Sequence, residues 1–78
     1  MKPTVVINME REGLCRDFGE GRRSDRAIAD GWPEYGYSVE LTNTIHHQSV
    51  INRLENAGYR INGAGRISNT DQGTVFFD

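Results

Sequence analysis

Apolar and polar residues alternate along several short stretches of the chain, as they do in strands that are buried on one face. Tyr37–Leu41 shows the cleanest alternation. Thr4–Met9 alternates in the same way, and Leu14–Phe18 follows it after the turn dipeptide Glu12-Gly13. These two stretches predict an N-terminal β-hairpin.

Short strand-like stretches also follow one another near the C-terminus. Tyr59–Ile61 predicts the start of a strand, and Asn62-Gly63 is a dipeptide typical of hairpin turns. Arg66–Ser68 is compatible with a returning strand. A further turn at Asp71–Gly73 leads into a final strand at Thr74–Phe77.

One segment carries the spacing of a helix and signals for both of its ends. Thr42–Thr44 offers N-cap side chains, and Gly58-Tyr59 has the spacing of a Schellman C-cap. The predicted helix therefore runs from about Ile45 to Ala57. Its apolar positions, three and four residues apart, are Val50, Ile51, Leu54 and Ala57. A second, shorter helix is predicted after Ser24, with Gly31 as its stop.

The order of these elements predicts the α+β class. We expect a single domain over residues 1–78, with a mostly antiparallel sheet of four to five short strands. One main helix would pack on one face of this sheet, and the short helix would be a second one.

Composition and charge indicate the cellular location of the protein but not its function. The formal net charge is −2, and Cys15 is the single cysteine, so an internal disulfide framework is excluded. The apolar run Val5–Ile7 is too short for a signal-peptide core or a membrane span. These features predict a cytoplasmic protein with no membrane contact. The acids Glu34, Glu40, Glu55, Asp71 and Asp78 are expected to form a solvated surface.

Residues with catalytic potential form no catalytic pattern. His46 and His47 are adjacent, so on a helix they point about 100° apart and do not form a metal-binding pair. Cys15 lies in a strand-like stretch, as a buried small hydrophobe would. Gly19 and Gly21 form an incomplete phosphate-loop pattern, so they are interpreted as a flexible connector or an anion contact. We therefore predict no enzymatic activity, no cofactor and no metal.

The strongest candidates for partner binding are arginines and aromatic residues, which often anchor interfaces. Phe76 and Phe77 are adjacent in the final strand, so one of them would face away from the core. An exposed aromatic there indicates an edge strand available for a partner or for homodimer formation. The predicted contact residues are Arg22, Arg23, Arg26, Trp32, Tyr35, Phe76 and Phe77.

In organisation the chain resembles the small stand-alone inhibitors encoded by phages and mobile elements, such as anti-CRISPR proteins. The resemblance consists of the short length from Met1 to Asp78, the mild acidity, the capped helix Thr44–Gly58 on short strands, and the missing catalytic motif. It implies a non-enzymatic inhibitor that blocks a host defence complex by occupying its surface. No residue role is carried over, because these inhibitors share no motif.

Two other functions stay open. The segment 22–37 combines arginines with aromatic residues and would suit a small nucleic-acid-associated regulatory domain. The net acidic charge makes nucleic acid the less favoured partner. The chain would alternatively be a small subunit of a larger assembly.

Overall fold

The computed structural model describes the whole chain, residues 1–78, and shows a four-stranded antiparallel sheet with helical segments on both of its faces. This architecture confirms the predicted α+β class. The elements, in chain order, are α1 (Thr4–Arg11), β1 (Cys15–Arg22), α2 (Asp25–Ala29), β2 (Tyr35–Leu41), a 3₁₀ turn (Thr44–His46), α3 (His47–Asn56), β3 (Ile61–Gly65) and β4 (Thr74–Phe77).

The strands lie in the order β1-β2-β4-β3, so the last strand of the chain is an inner strand. β4 pairs antiparallel with both β2 and β3, which therefore run in the same direction. α3 connects β2 to β3 and leaves between them the place that β4 fills, as in a split β-α-β unit. The prediction that the final strand forms an edge is wrong, and β1 and β3 are the edges.

The first residues form a helix, so the predicted N-terminal hairpin is wrong. In α1 the buried residues Val6 and Met9 are three positions apart and share one face. The short run Thr4–Met9 is compatible with the periodicity of a strand and with that of a helix. The helix forms because it buries Val6 and Met9 together in the main core. β1 then pairs with β2 rather than with the N-terminal segment.

All three α-helices end in the same motif, a glycine followed by an apolar residue. The glycines Gly13, Gly31 and Gly58 have φ of 75°, 98° and 95°, in the left-handed region that glycine adopts without strain. The residues after them donate from their N–H groups to carbonyls of the last helical turn, in the bonds Leu14 to Met9, Trp32 to Ala27 and Tyr59 to Leu54. This is the Schellman pattern. It confirms the predicted end of α3 and shows that Gly13 ends a helix.

The start of the main helix also follows the prediction closely. The Asn43 side chain accepts a hydrogen bond from the Ile45 N–H at 3.1 Å, which caps the 3₁₀ turn that leads into α3. Ser24 likewise caps α2 by accepting from the Ala27 N–H at 3.2 Å. Both segments contain the capping residues that the sequence indicates.

The main core lies between the sheet and the pair α1 and α3. Its centre is Phe77, whose ring lies 5.0 Å from that of Tyr37 and 5.2 Å from that of Tyr59. Cys15 is buried here as predicted. The ten buried residues of this cluster are Val6, Met9, Cys15, Tyr37, Val39, Leu41, Val50, Leu54, Val75 and Phe77. We call the surface of the sheet that faces α1 and α3 the first face.

The segment between β3 and β4 differs from the prediction. Asn62-Gly63 forms no turn but lies at an irregularity of β3, where the pairing shifts between Ile61 and Gly63. Arg66–Ser68 belongs to the connecting loop rather than to a strand. Of the predicted turns only the one at Asp71–Gly73 is present, where the Gly73 N–H donates to Asp71 Oδ1 just before β4. The rest of the segment is a loop held by side-chain hydrogen bonds.

Asp71 organises this loop from a buried position, which corrects its assignment to the solvated surface. The side chain accepts hydrogen bonds from the N–H groups of Ile67 and Gly73, each at 2.9 Å, and from the Thr74 hydroxyl at 2.7 Å. Burial alone would raise the pKa of Asp71. The three hydrogen bonds outweigh burial and hold the pKa below its ordinary value.

Replacing Asp71 with asparagine is expected to lower the free energy of unfolding at pH 7 by about 1–3 kcal/mol, because an amide has one acceptor oxygen for three donors. A carboxylate with a lowered pKa stabilises the fold above its ordinary pKa of 3.8, and this contribution disappears as the pH falls through the folded-state value. Urea titrations at pH 7 and pH 3 should therefore show a smaller difference between the two proteins at pH 3. An equal difference at both pH values would contradict this assignment.

Candidate binding site on the second face of the sheet

The opposite, or second, face of the sheet is covered by the chain segment around α2. Strand alternation places Ser38, Thr74 and Phe76 on this face, opposite the main core. Trp32, which follows α2, lies against Phe76 with ring centroids 5.0 Å apart. Phe76 is therefore buried without belonging to the main core.

Arg23 is the unusual side chain of this face, because it is a cation with only 6% of its surface exposed. Its Nη1 donates to the carbonyl oxygens of Pro33 at 2.6 Å and Tyr35 at 3.3 Å. The guanidinium carbon lies 4.6 Å from the centre of the Phe76 ring. Arg23 thus connects the start of β2 to the aromatic side chains of the second face.

The other two nitrogens of Arg23, Nε and Nη2, are buried and have no hydrogen-bond partner in the protein. No carboxylate lies within ion-pair distance of this guanidinium. Burial therefore lowers the pKa of Arg23, although Asp78 opposes this effect from a longer distance. A buried cation without a counter-charge is costly, and natural proteins usually satisfy such groups.

A surface cavity of about 230 Å³ adjoins Arg23. Small residues of β1 and β2 form part of its lining, namely Gly19, Gly21, Gly36 and Ser38. A Cβ atom at Gly19 or Gly21 would meet nothing within 4 Å, whereas one at Gly36 would overlap the Arg23 guanidinium. Glycine at position 36 thus lets the arginine pack against the β2 backbone.

Phe18 borders this cavity and is 51% exposed. It lies at a bulge of β1, where the pairing with β2 shifts between Asp17 and Gly19. The Gly19 N–H donates to Asp17 Oδ1 at 2.8 Å and holds the bulge in shape. Phe18 is not among the contact residues that the sequence predicts. A glycine inside a strand pattern was the available signal, since it often marks a bulge that redirects a side chain.

The structure brings three of the seven predicted contact residues together. Arg23, Trp32 and Phe76 form one stacked cluster that is largely buried. Phe77 lies in the main core on the opposite face. Neither phenylalanine is thus the exposed edge-strand aromatic that the sequence predicts.

The remaining predicted contact residues are exposed. Arg22 and Tyr35 oppose each other across β1 and β2, and Tyr35 is 67% exposed. Arg26 is exposed on α2. Arg22 forms ion pairs with Asp25 and Glu34, each at 3.1 Å, so its charge is locally balanced. The segment 22–37 therefore does not form one continuous basic surface.

The candidate catalytic residues lie elsewhere. Burial raises the pKa of the Cys15 thiol to about 11, with Glu10 and Asp17 adding to the effect, so the reactive thiolate is scarce at neutral pH. His46 and His47 do not line the cavity beside Arg23. No group of three or more histidine, cysteine, aspartate and glutamate side chains is placed to hold a metal ion.

Comparison of the chain with protein-family models, curated proteins and solved structures finds no match. No helix of the protein combines the length and the apolar character needed to cross a membrane.

Proposed function

We propose that this protein is a small non-enzymatic binding module that acts by occupying the surface of another protein. The observation that carries the proposal is the second face, where the exposed Phe18 borders a cavity beside the uncompensated Arg23. Aromatic residues, phenylalanine among them, and arginine are enriched in protein interfaces. Phe18 and Arg23 are thus the proposed centre of the contact.

A more specific form of the proposal makes the protein an inhibitor of a host defence complex. The resemblance in size, charge and organisation to small phage-encoded inhibitors supports this form. Steric occupation of a surface requires only a rigid platform and a few anchors, and the second face offers both. The inhibitor would act in the host cytoplasm without a cofactor.

Nucleic acid is the less favoured partner, because two of the three arginines in the segment 22–37 are paired or covered, and Arg26 alone is exposed outside the ion pairs. Arg22 pairs with two carboxylates, and Arg23 lies below the surface. Trp32 packs against Phe76 and Gly63, so contacts within the protein already cover part of its ring. A single-strand binding surface needs exposed arginines beside exposed rings.

The proposal predicts that a partner protein is lost when Phe18 is made polar. The tagged full chain and its Phe18→Ser variant would be incubated with bacterial lysates that carry defence systems, with and without nuclease, and bound proteins would be identified by mass spectrometry. We expect a stoichiometric partner that survives nuclease and binds Phe18→Ser at least tenfold more weakly.

Ile45→Ser is the matched control, since Ile45 is 78% exposed in the turn before α3 and does not line the cavity. Equal losses in both variants would contradict the second face as the contact. Loss of every partner on nuclease treatment would instead support a nucleic-acid-associated domain. A partner that is another copy of the chain would support a homodimer.

A further inference from the structure

We infer that the cavity beside Arg23 is a binding site for a carboxylate group. The inference deepens the proposed function at one point, because an acidic side chain of a partner protein is one source of such a group. A small free carboxylic acid is the other source. The chemistry of the site is the same for both.

The unpartnered edge of Arg23 is the one that suits a carboxylate. Nη1 is fully used by the carbonyls of Pro33 and Tyr35. Nε and Nη2 lie side by side on the other edge of the planar guanidinium, where two parallel N–H groups match the two oxygens of a carboxylate. The structure thus leaves unused the pair of donors that makes a bidentate contact.

The charge of the site favours a monoanion. Arg22 is balanced by Asp25 and Glu34, so Arg23 supplies the single uncompensated positive charge of the cavity lining. Glu20 also lines the cavity, but it pairs with Tyr37 of the first face, so strand alternation directs its carboxylate away from Arg23. Phe18, Ile67 and Phe76 add apolar surface to this lining. A phosphate group with a charge of about −1.5 to −2 would bring excess negative charge into this setting, whereas a carboxylate matches Arg23.

Space for the ligand lies over the β1 glycines. Gly21 lines the cavity, and a side chain at this position would meet no atom of the protein within 4 Å of its Cβ. Nε and Nη2 themselves are shielded from solvent. The guanidinium packs against Gly36 and Phe76, so a carboxylate reaches these nitrogens only when Arg23 moves away from these neighbours, and the ion pair formed would offset the cost of that movement.

Titration of the ¹⁵N-labelled full chain with small carboxylates tests the inference. The probes are acetate and acetyl-glutamate-amide, with the neutral acetyl-glutamine-amide and inorganic phosphate as controls, all at constant ionic strength. We expect a saturable shift of the Arg23 Nε–H signal with both carboxylates. We expect no saturable shift with acetyl-glutamine-amide and a weaker response to phosphate.

Three variants test whether the carboxylates bind at Arg23 and the adjoining cavity. Arg23→Lys keeps the charge but loses the planar pair of donors, so carboxylate affinity, followed by backbone amide shifts of the cavity residues, should fall at least tenfold. Gly21→Leu keeps Arg23 and fills the adjoining space, so it should weaken carboxylate binding by a similar factor. It therefore tests the inference even if Arg23→Lys does not fold. Arg26→Gln removes one exposed charge from α2 and should leave the affinity unchanged.

The results distinguish an acidic side chain from a small free acid as the source of the carboxylate. They also distinguish failure of this inference from failure of the proposed function. Tighter binding of acetyl-glutamate-amide than of acetate supports an acidic side chain, and the reverse supports a small free acid. No saturable shift with either carboxylate, an equal shift with the amide control, or an unchanged affinity of Gly21→Leu would overturn the inference. A captured partner that binds Arg23→Lys normally would leave the proposed function intact and exclude Arg23 from the contact.

Discussion

Replacing Phe77 with alanine is expected to lower the free energy of unfolding by about 3–5 kcal/mol. The side chain is fully buried, and its ring packs against those of Tyr37 and Tyr59. A domain of 78 residues is stabilised by about 4–12 kcal/mol in total, at the usual rate per residue. The loss would thus remove a large share of the stability. Urea titration followed by circular dichroism measures it.

Phe18→Ala is the matched control, because it deletes the same side-chain atoms at an exposed position. Exposed substitutions usually change the free energy of unfolding by less than about 0.5 kcal/mol. Because Phe18 is about half exposed, Phe18→Ala should lower the free energy of unfolding much less than Phe77→Ala. A similar cost at both positions would contradict the placement of Phe77 at the centre of the main core.

Gly63→Ala is expected to be the second most damaging change, with a loss of about 1–3 kcal/mol or more. An added Cβ atom would overlap the six-membered ring of Trp32. The Trp32 ring packs closely against the backbone at Gly63 and also contacts Phe76. Because both neighbours are in the sheet, the ring has little space to move away from an added methyl group. Chemical denaturation of the purified variant would show the loss.

Gly65→Ala provides a control in the same strand. A Cβ atom at Gly65 would lie 3.9 Å from Trp32, which is an ordinary contact, so this change should be close to neutral. The double variant Gly63→Ala with Trp32→Ala tests the mechanism through a mutant cycle. If the clash is the cause, Gly63→Ala should cost much less in the Trp32→Ala background than in the natural chain. Equal costs in both backgrounds would show that Trp32 is not responsible.

Helix ends were the most predictable part of the fold, because they depend on residues close together in the chain. Asn43 and Ser24 cap their segments, and Gly58-Tyr59 ends α3 as predicted. Gly13-Leu14 carries the same stop signal, although Glu12-Gly13 also fits a hairpin turn. As a helix stop, Gly13-Leu14 favours a helix over a strand for Thr4–Met9.

The candidate site was only partly predictable. Arginine and aromatic residues at positions 23, 32 and 76 are plausible binding residues by type, and the structure does bring them together. Whether an arginine is exposed or buried is a non-local property, since Arg23 is covered by contacts with Phe76 and with the backbone before β2. Sequence patterns therefore predicted its involvement but not its unpaired buried edge.

The sequence by itself determined the α+β class, the strand at Tyr37–Leu41, the final strand and the limits of the main helix, because local periodicity and capping specify these elements. The tertiary structure alone decided that β4 lies between β2 and β3 and that Phe76 and Phe77 are both buried. It also decided which edge of Arg23 is left without a partner. Strand order and the pairing of side chains across a sheet depend on residues far apart in the chain, so no local pattern encodes them.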